Sequence, residues 1–243
     1  MDQLSKVDLF IYQPVQEKHG IYSTDRILSY LPESCCQRIS FPYFYNNALW
    51  PLFRDGKCIV NASPIIELLE SGASVIEIAM QFLSLKIDFQ FQKRFQTTLH
   101  ILAEKEAITT IKASQYILEH YKTEKLFLTH NHPSTQLFIH CANQILALLR
   151  YPLLRKEDYP HPNAAGLPGY SPMSPYEKTH YQFSYEDNWR HFYEKRRENS
   201  WRRIYLLRIM EICLSRHKEK RGNYCYDKVV LKLFRTLSKY LPN

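Results

Sequence analysis

The sequence predicts an α/β protein: a small, mostly parallel sheet flanked by many helices, with a helical and basic C-terminal extension. Three observations carry that expectation. Short β-favouring runs alternate with stretches apolar at helical spacing, in the order strand, helix, strand, several helices, strand, helix. The stretch Lys125–Leu149 packs a strand, an abrupt polar turn and a helix into one unit. The charge excess is confined to the end of the chain. Residues 186–243 hold 15 Lys/Arg against 7 Asp/Glu, whereas residues 1–185 hold 17 of each, so the net +8 belongs to the last quarter.

A chain of 243 residues with 45% hydrophobic and 23% charged residues is long and apolar enough for one large domain or two small ones. With 18 Tyr, 13 Phe and only 6 Gly, the chain has the apolar surface needed to fold rather than stay disordered. No uninterrupted apolar run of about 18 residues occurs, so no transmembrane segment is expected. The opening MDQLSKVDLFIY lacks the basic start and apolar core of an export signal. The six cysteines (Cys35, Cys36, Cys58, Cys141, Cys213 and Cys225) form no C-x-x-C pair, and adjacent Cys35 and Cys36 cannot bridge without strain. They read as reduced thiols in a cytoplasmic protein, and neither Cys nor His shows the spacing of a metal site.

The elements follow in order. Val7–Val15 reads as a buried strand ending at Gln13-Pro14. Ser23 or Thr24 can cap a short helix with Asp25 in its first turn and Ile27, Leu28 and Leu31 on its apolar face. Arg38–Phe44 is a second strand, followed by an aromatic loop around Trp50-Pro51, where Trp50 reads as core. Ser63-Pro64 opens a helix that stops at Gly72. Ser74 and Glu77 form a capping box for the next helix. The spacing of Phe91, Phe95, Leu99 and Leu102 predicts that a long helix continues to about Lys105, and another helix covers Ser114–Tyr121. Leu126, Phe127 and Leu128 form a short buried strand. Thr129, His130, Asn131 and His132 follow, Pro133 suits a first helical turn, and Leu137, Cys141, Ile145 and Leu148 recur at helical spacing.

These signals predict three regions: an α/β core over 1–150, a loop or lid over 151–185, and basic amphipathic helices over 186–243 packing on the core. The middle region holds six of the 13 prolines, and its tyrosines (Tyr159, Tyr170, Tyr176, Tyr181) give a lid something to pack with. A helix over Glu186–Arg221 carries Trp189, Phe192, Tyr193, Trp201, Ile204, Tyr205 and Ile212 on one face. Lys195, Arg196, Arg197, Arg202, Arg203, Arg208 and Arg216 lie on the other, and a last helix spans Tyr226–Tyr240. A charged helical face is ordinarily solvated, and that reading is preferred here to a nucleic-acid surface. A peripheral contact with an anionic membrane or a partner protein through residues 190–221 is the alternative for this module.

LFLTHNHPSTQLFIHCANQIL resembles the N-H-P signature of the WcbI-type polysaccharide biosynthesis proteins, a family associated with acetyl transfer from coenzyme A. Other segments agree in order: DLFIYQPV, GIYSTDRILSYLP, ISFPYFYNNALWP, IIELLESGASVIEI and the stretch Leu102–Glu106. The resemblance covers roughly residues 7–150. It implies coenzyme A or acetyl-coenzyme A as a substrate, a sugar or polysaccharide acceptor, and a role in making capsular or surface polysaccharide. It also implies an amino-terminal strand ending in G-N-C-Q, and the sequence contains no such motif; Cys35 and Cys36 lie between a helix and the second strand. The chain is thus expected to be a truncated frame, one part of a split protein, or a member without that nucleophile.

Acyl transfer to a hydroxyl needs a base and donors for a developing oxyanion. His132 is the candidate base, and Asn131 with the α-helix start is the candidate donor set. Gln13, at its strand's carboxyl end, and Ser23, Thr24 and Arg26, at a helix start, are the candidates for holding the coenzyme. Each also has an ordinary structural reading: His132 as a cap or surface residue, Ser23 and Thr24 as caps, Arg26 as a solvated charge, Gln13 as a satisfied strand-end amide. Beside the acetyltransferase stand two other classes, a non-catalytic coenzyme- or nucleotide-holding scaffold and a basic module for anionic partners.

Overall fold

The computed structural model describes residues 6–32, 36–55, 58–159, 173–185 and 200–221. The chain forms two compact units, one from residues 1–46 and 93–163, the other from 47–92 and 164–243.

In the first unit, β1 (Leu9–Tyr12) and β2 (Gln37–Ser40) pair in parallel, with Leu9 opposite Gln37 and Tyr12 opposite Ser40. Their connection is a 3-10 segment (Glu17–Tyr22) and α1 (Thr24–Leu28). The far end of β2 is clasped by a distant loop: Ile111 donates its N–H to the Ser40 carbonyl at 2.9 Å, and the Ser40 and Thr110 side chains exchange bonds with each other's backbone N–H. α4 (Phe91–Glu106) leads to that loop, and α5 (Ser114–His120) leaves it. Ala113, the residue before α5, has no side-chain oxygen to satisfy the helix's first N–H groups. Buried Glu106 does so instead, accepting from the N–H groups of Ala113 and Ser114 and from the Ser114 hydroxyl. β5 (Phe127–Thr129), β6 (His132–Pro133) and α6 (Thr135–Leu148) complete the unit, with a 3-10 turn at Lys156–Asp158. The α/β class holds, and β1–β2 supplies the parallel pairing; β5 pairs antiparallel with β6.

In the second unit a two-residue antiparallel pair, β3 (Arg54–Asp55) with β4 (Cys58–Ile59), precedes α2 (Ser63–Glu70) and α3 (Val75–Leu83). The predicted Pro64 start, the turn at Gly72 (φ 94°) and the Ser74–Glu77 capping box are all present. α7 (Pro175–Tyr181) and α8 (Ser200–Arg221) follow. Tyr205 of α8 stacks on Phe82 of α3 at 5.4 Å, and Phe89 and Tyr176 close the same aromatic cluster. α8 packs against α2 and α3 through this face, with Ile209 and Cys213 fully buried.

Three expectations are corrected. The helix expected to run on to Lys105 breaks between α3 and α4: Leu85 and Gln90 take positive φ (56° and 53°), and the Asp88 carboxylate accepts from the Gln90 N–H at 2.7 Å. That short-range bond offers the backbone an alternative to a helical turn. Pro133 lies in β6, and α6 starts two residues later at Thr135. Arg208, placed by periodicity on the solvated face, is buried at 6% exposure, its guanidinium 5.5 Å from the Tyr205 ring centre. Residues 160–172, the middle of the expected lid, with residues 186–199 and the expected helix over 226–240, lie outside the described residues.

Candidate functional site at the carboxyl end of β5

Leu126, Phe127 and Leu128 are buried, which brings the following polar residues to the strand's end. The chain turns back at once: Thr129 lies opposite His132, Phe127 opposite Pro133, and Ser134 donates its N–H to the Leu126 carbonyl at 2.9 Å. Ser134 has extended backbone and stands as the N-cap of α6, yet its side chain makes no capping bond, and its buried hydroxyl has no hydrogen-bond partner among the described residues. The first N–H groups of α6 are thus left without a side-chain cap.

The turn sorts its side chains by depth. His130 is buried, its ring edge-on to Tyr45 at 5.1 Å, and its carbonyl accepts from the Asn46 N–H at 2.6 Å. Asn131 is half-buried and His132 exposed. Thr129, 1% exposed, joins the two: its hydroxyl donates to Asn131 Oδ1 at 3.2 Å and lies 2.6 Å from His132 Nδ1.

The candidates from the β1–α1 connection form their own group. Gln13 donates its amide to the Pro42 carbonyl at 3.3 Å. Thr24 Oγ1 accepts from the Val15 N–H at 2.6 Å, which closes the loop between β1 and α1. Ser23 is the buried N-cap of α1 but caps it by backbone only. Arg26 is exposed, its guanidinium 5.2 Å from the Tyr30 ring centre. Among the described residues no hydrogen bond or ring contact joins these four to Asn131 or His132. The loop after β2 touches both groups, at Pro42 on one side and at Tyr45 and Asn46 on the other. Thr129 reads in the sequence only as the first residue of the polar turn, and Tyr45 only as one of a run of aromatics, so neither is a candidate there.

Neither of the buried cysteines, Cys141 and Cys213, is poised as a nucleophile. Burial pushes the thiols of Cys141 and Cys213 up to about 12, where a thiolate is not formed at working pH. Among the described residues no group of three His, Cys, Asp or Glu could hold a metal ion. No described helix is long and apolar enough to cross a membrane.

A parallel strand pair flanked by helices, with a polar turn after β5 leading into a helix without a side-chain cap, defines an α/β protein. The profile of the polysaccharide biosynthesis enzyme WcbI matches residues 1–154, and the chain belongs to the WcbI polysaccharide biosynthesis enzyme family. A solved structure of WcbI superposes with a TM-score of 0.54 at 16% identity, covering 98% of this chain and 79% of that one. That protein is described as a novel polysaccharide biosynthesis enzyme, in a form without a disulfide between coenzyme A and one of its cysteines. No curated protein matches the chain.

Proposed function

We propose that this chain transfers an acetyl group from coenzyme A to a sugar hydroxyl during capsular or surface polysaccharide biosynthesis. The observation that carries the reading is the exposed His132 held by Thr129 beside the uncapped start of α6, in a chain of the WcbI family. The coenzyme A associated with the solved WcbI structure supports the choice of donor. In this reading His132 takes the acceptor's proton. Asn131, whose Oδ1 is occupied by Thr129, offers its Nδ2–H group to the developing oxyanion. Arg26, exposed on α1, meets the coenzyme's phosphates, and the free N–H groups of α6 suit an anion. Gln13 and Thr24 shape the connection that carries Arg26, since their own polar side-chain atoms serve the backbone, and Ser23 is the buried N-cap of the helix.

The test is thiol release from acetyl-coenzyme A in the presence of surface-polysaccharide acceptors. His132→Ala is expected to lower the rate by roughly 10²–10⁴, the range general-base groups supply. A variant with full activity would remove His132 from the mechanism. A second reading, a coenzyme-holding protein without catalysis, draws support from the inert thiols of Cys141 and Cys213. Binding without thiol release selects it.

A further inference from the structure

The turn after β5 contains a hydroxyl with more neighbours than protons. Thr129 Oγ1, in a residue only 1% exposed, lies 3.2 Å from Asn131 Oδ1 and 2.6 Å from His132 Nδ1. A hydroxyl carries one proton and two lone pairs, whereas an amide oxygen only accepts. The Thr129 proton therefore goes to Asn131, and its lone pair faces His132. Only a protonated Nδ1 completes that pair. The neutral imidazole then bears its hydrogen on Nδ1 and its lone pair on Nε2, because the bond made by one ring nitrogen sets the state of the other. His132 is exposed, and Nε2 has no partner among the described residues. The free nitrogen is thus the basic one.

We infer that Thr129 is the positioning residue of this site: it fixes His132 as the Nδ1–H tautomer and leaves Nε2 as the proton acceptor. The inference builds on the acetyl-transfer reading for its catalytic sense, while the tautomer itself is a property of the resting protein. In the reaction, the acceptor's hydroxyl oxygen forms a bond to the thioester carbonyl carbon and its proton passes to Nε2. The carbon–sulfur bond then breaks, its electron pair goes to sulfur, and Nε2 gives the proton back to that sulfur. Nδ1–H stays on Thr129 throughout, so the ring does not rotate between the two transfers. A neutral hydroxyl here takes the place that a carboxylate holds in many catalytic histidine pairs.

The test is long-range proton–nitrogen NMR on the full chain labelled with nitrogen-15 in histidine, at a pH where the imidazoles are neutral. His132 is assigned by its disappearance in His132→Gln. The expected spectrum shows a protonated-type Nδ1 and a lone-pair-type Nε2 for His132. Thr129→Val moves the ring toward the Nε2–H form, and Thr129→Ser restores the original pattern. In the thiol-release assay, Thr129→Val lowers kcat by about tenfold or more with little change in KM, a part of what the base supplies, and Thr129→Ser recovers it. A wild-type His132 protonated on Nε2, or a tautomer indifferent to Thr129→Val, overturns the inference even if acetyl transfer is found. The expected tautomer without thiol release in the wild type leaves the positioning role standing and overturns the acetyl-transfer reading alone.

Discussion

A single side chain, Glu106, shows how the first unit is held. Its carboxylate lies at the end of α4 and does for α5 what Ala113 cannot, accepting from two backbone N–H groups and a hydroxyl. Lys112 adds to the knot by donating to the carbonyls of Glu106 and Thr109. Removing the carboxylate strands three partly or fully buried donors. Glu106→Ala is expected to cost about 2–3 kcal/mol in denaturant unfolding, and Glu106→Gln, which keeps an acceptor oxygen, visibly less. Equal losses in the two variants would mean that packing, not hydrogen bonding, is what Glu106 provides. Sequence reading marked this glutamate only through the family pattern. Its partners lie seven and eight residues on, across a loop whose path no local rule predicts. The Ser74–Glu77 box is the opposite case, because both partners share one turn and their spacing alone announces the bond.

Among elements, α5, α6 and the 3-10 turn after α6 meet in a titratable cluster. The Tyr116 ring is sandwiched between His140, stacked at 4.0 Å, and His120 at 4.3 Å. Lys156 reaches in from the 3-10 turn to the Tyr116 hydroxyl at 3.0 Å and to Glu124 at 2.8 Å. Burial holds the His140 imidazole below its ordinary range, with the neighbouring His120 and Lys156 acting in the same sense. Burial works to raise the Glu124 carboxyl, but hydrogen bonds from Lys156 and Tyr116 outweigh it and keep the group below its usual range. Both shifts favour the fold at higher pH. The unfolded chain protonates His140 near pH ~6.5 and Glu124 near ~4.3 before the folded chain does, so each contribution fades as pH falls past those values. Thermal unfolding is expected to move to lower temperature between pH 7.5 and 5.5. His140→Phe, which keeps the stack on Tyr116, is expected to flatten that slope. An unchanged slope would assign the dependence to another group. Helical periodicity found α5 and α6, but the stacking of Tyr116 on His140 depends on how the two helices cross. The same holds for α8: its pattern placed Tyr205 inside correctly, yet Arg208 is also buried, because its guanidinium finds the Tyr205 ring. The α3–α4 break escaped for a different reason, since the apolar spacing continues across a turn set by Asp88.

At the scale of the whole molecule, the order of elements was legible, and it carried the family assignment that the profile over residues 1–154 establishes. What local pattern could not carry is that residues 47–92 form their unit with α8, more than a hundred positions away, through Phe82, Phe89, Tyr176 and Tyr205. The first unit holds all six residues assigned to the proposed site, Gln13, Ser23, Thr24, Arg26, Asn131 and His132. Coenzyme recognition is thus expected in that unit, with Arg26 as an exposed cation. The most direct measurement is calorimetric titration of the full chain with coenzyme A and acetyl-coenzyme A, at low and moderate salt, alongside Arg26→Ala. Saturable binding is expected, weakening as salt rises and falling about tenfold, some 1.4 kcal/mol, in Arg26→Ala. No saturable heat from either ligand, or binding untouched by Arg26→Ala, would contradict that expectation.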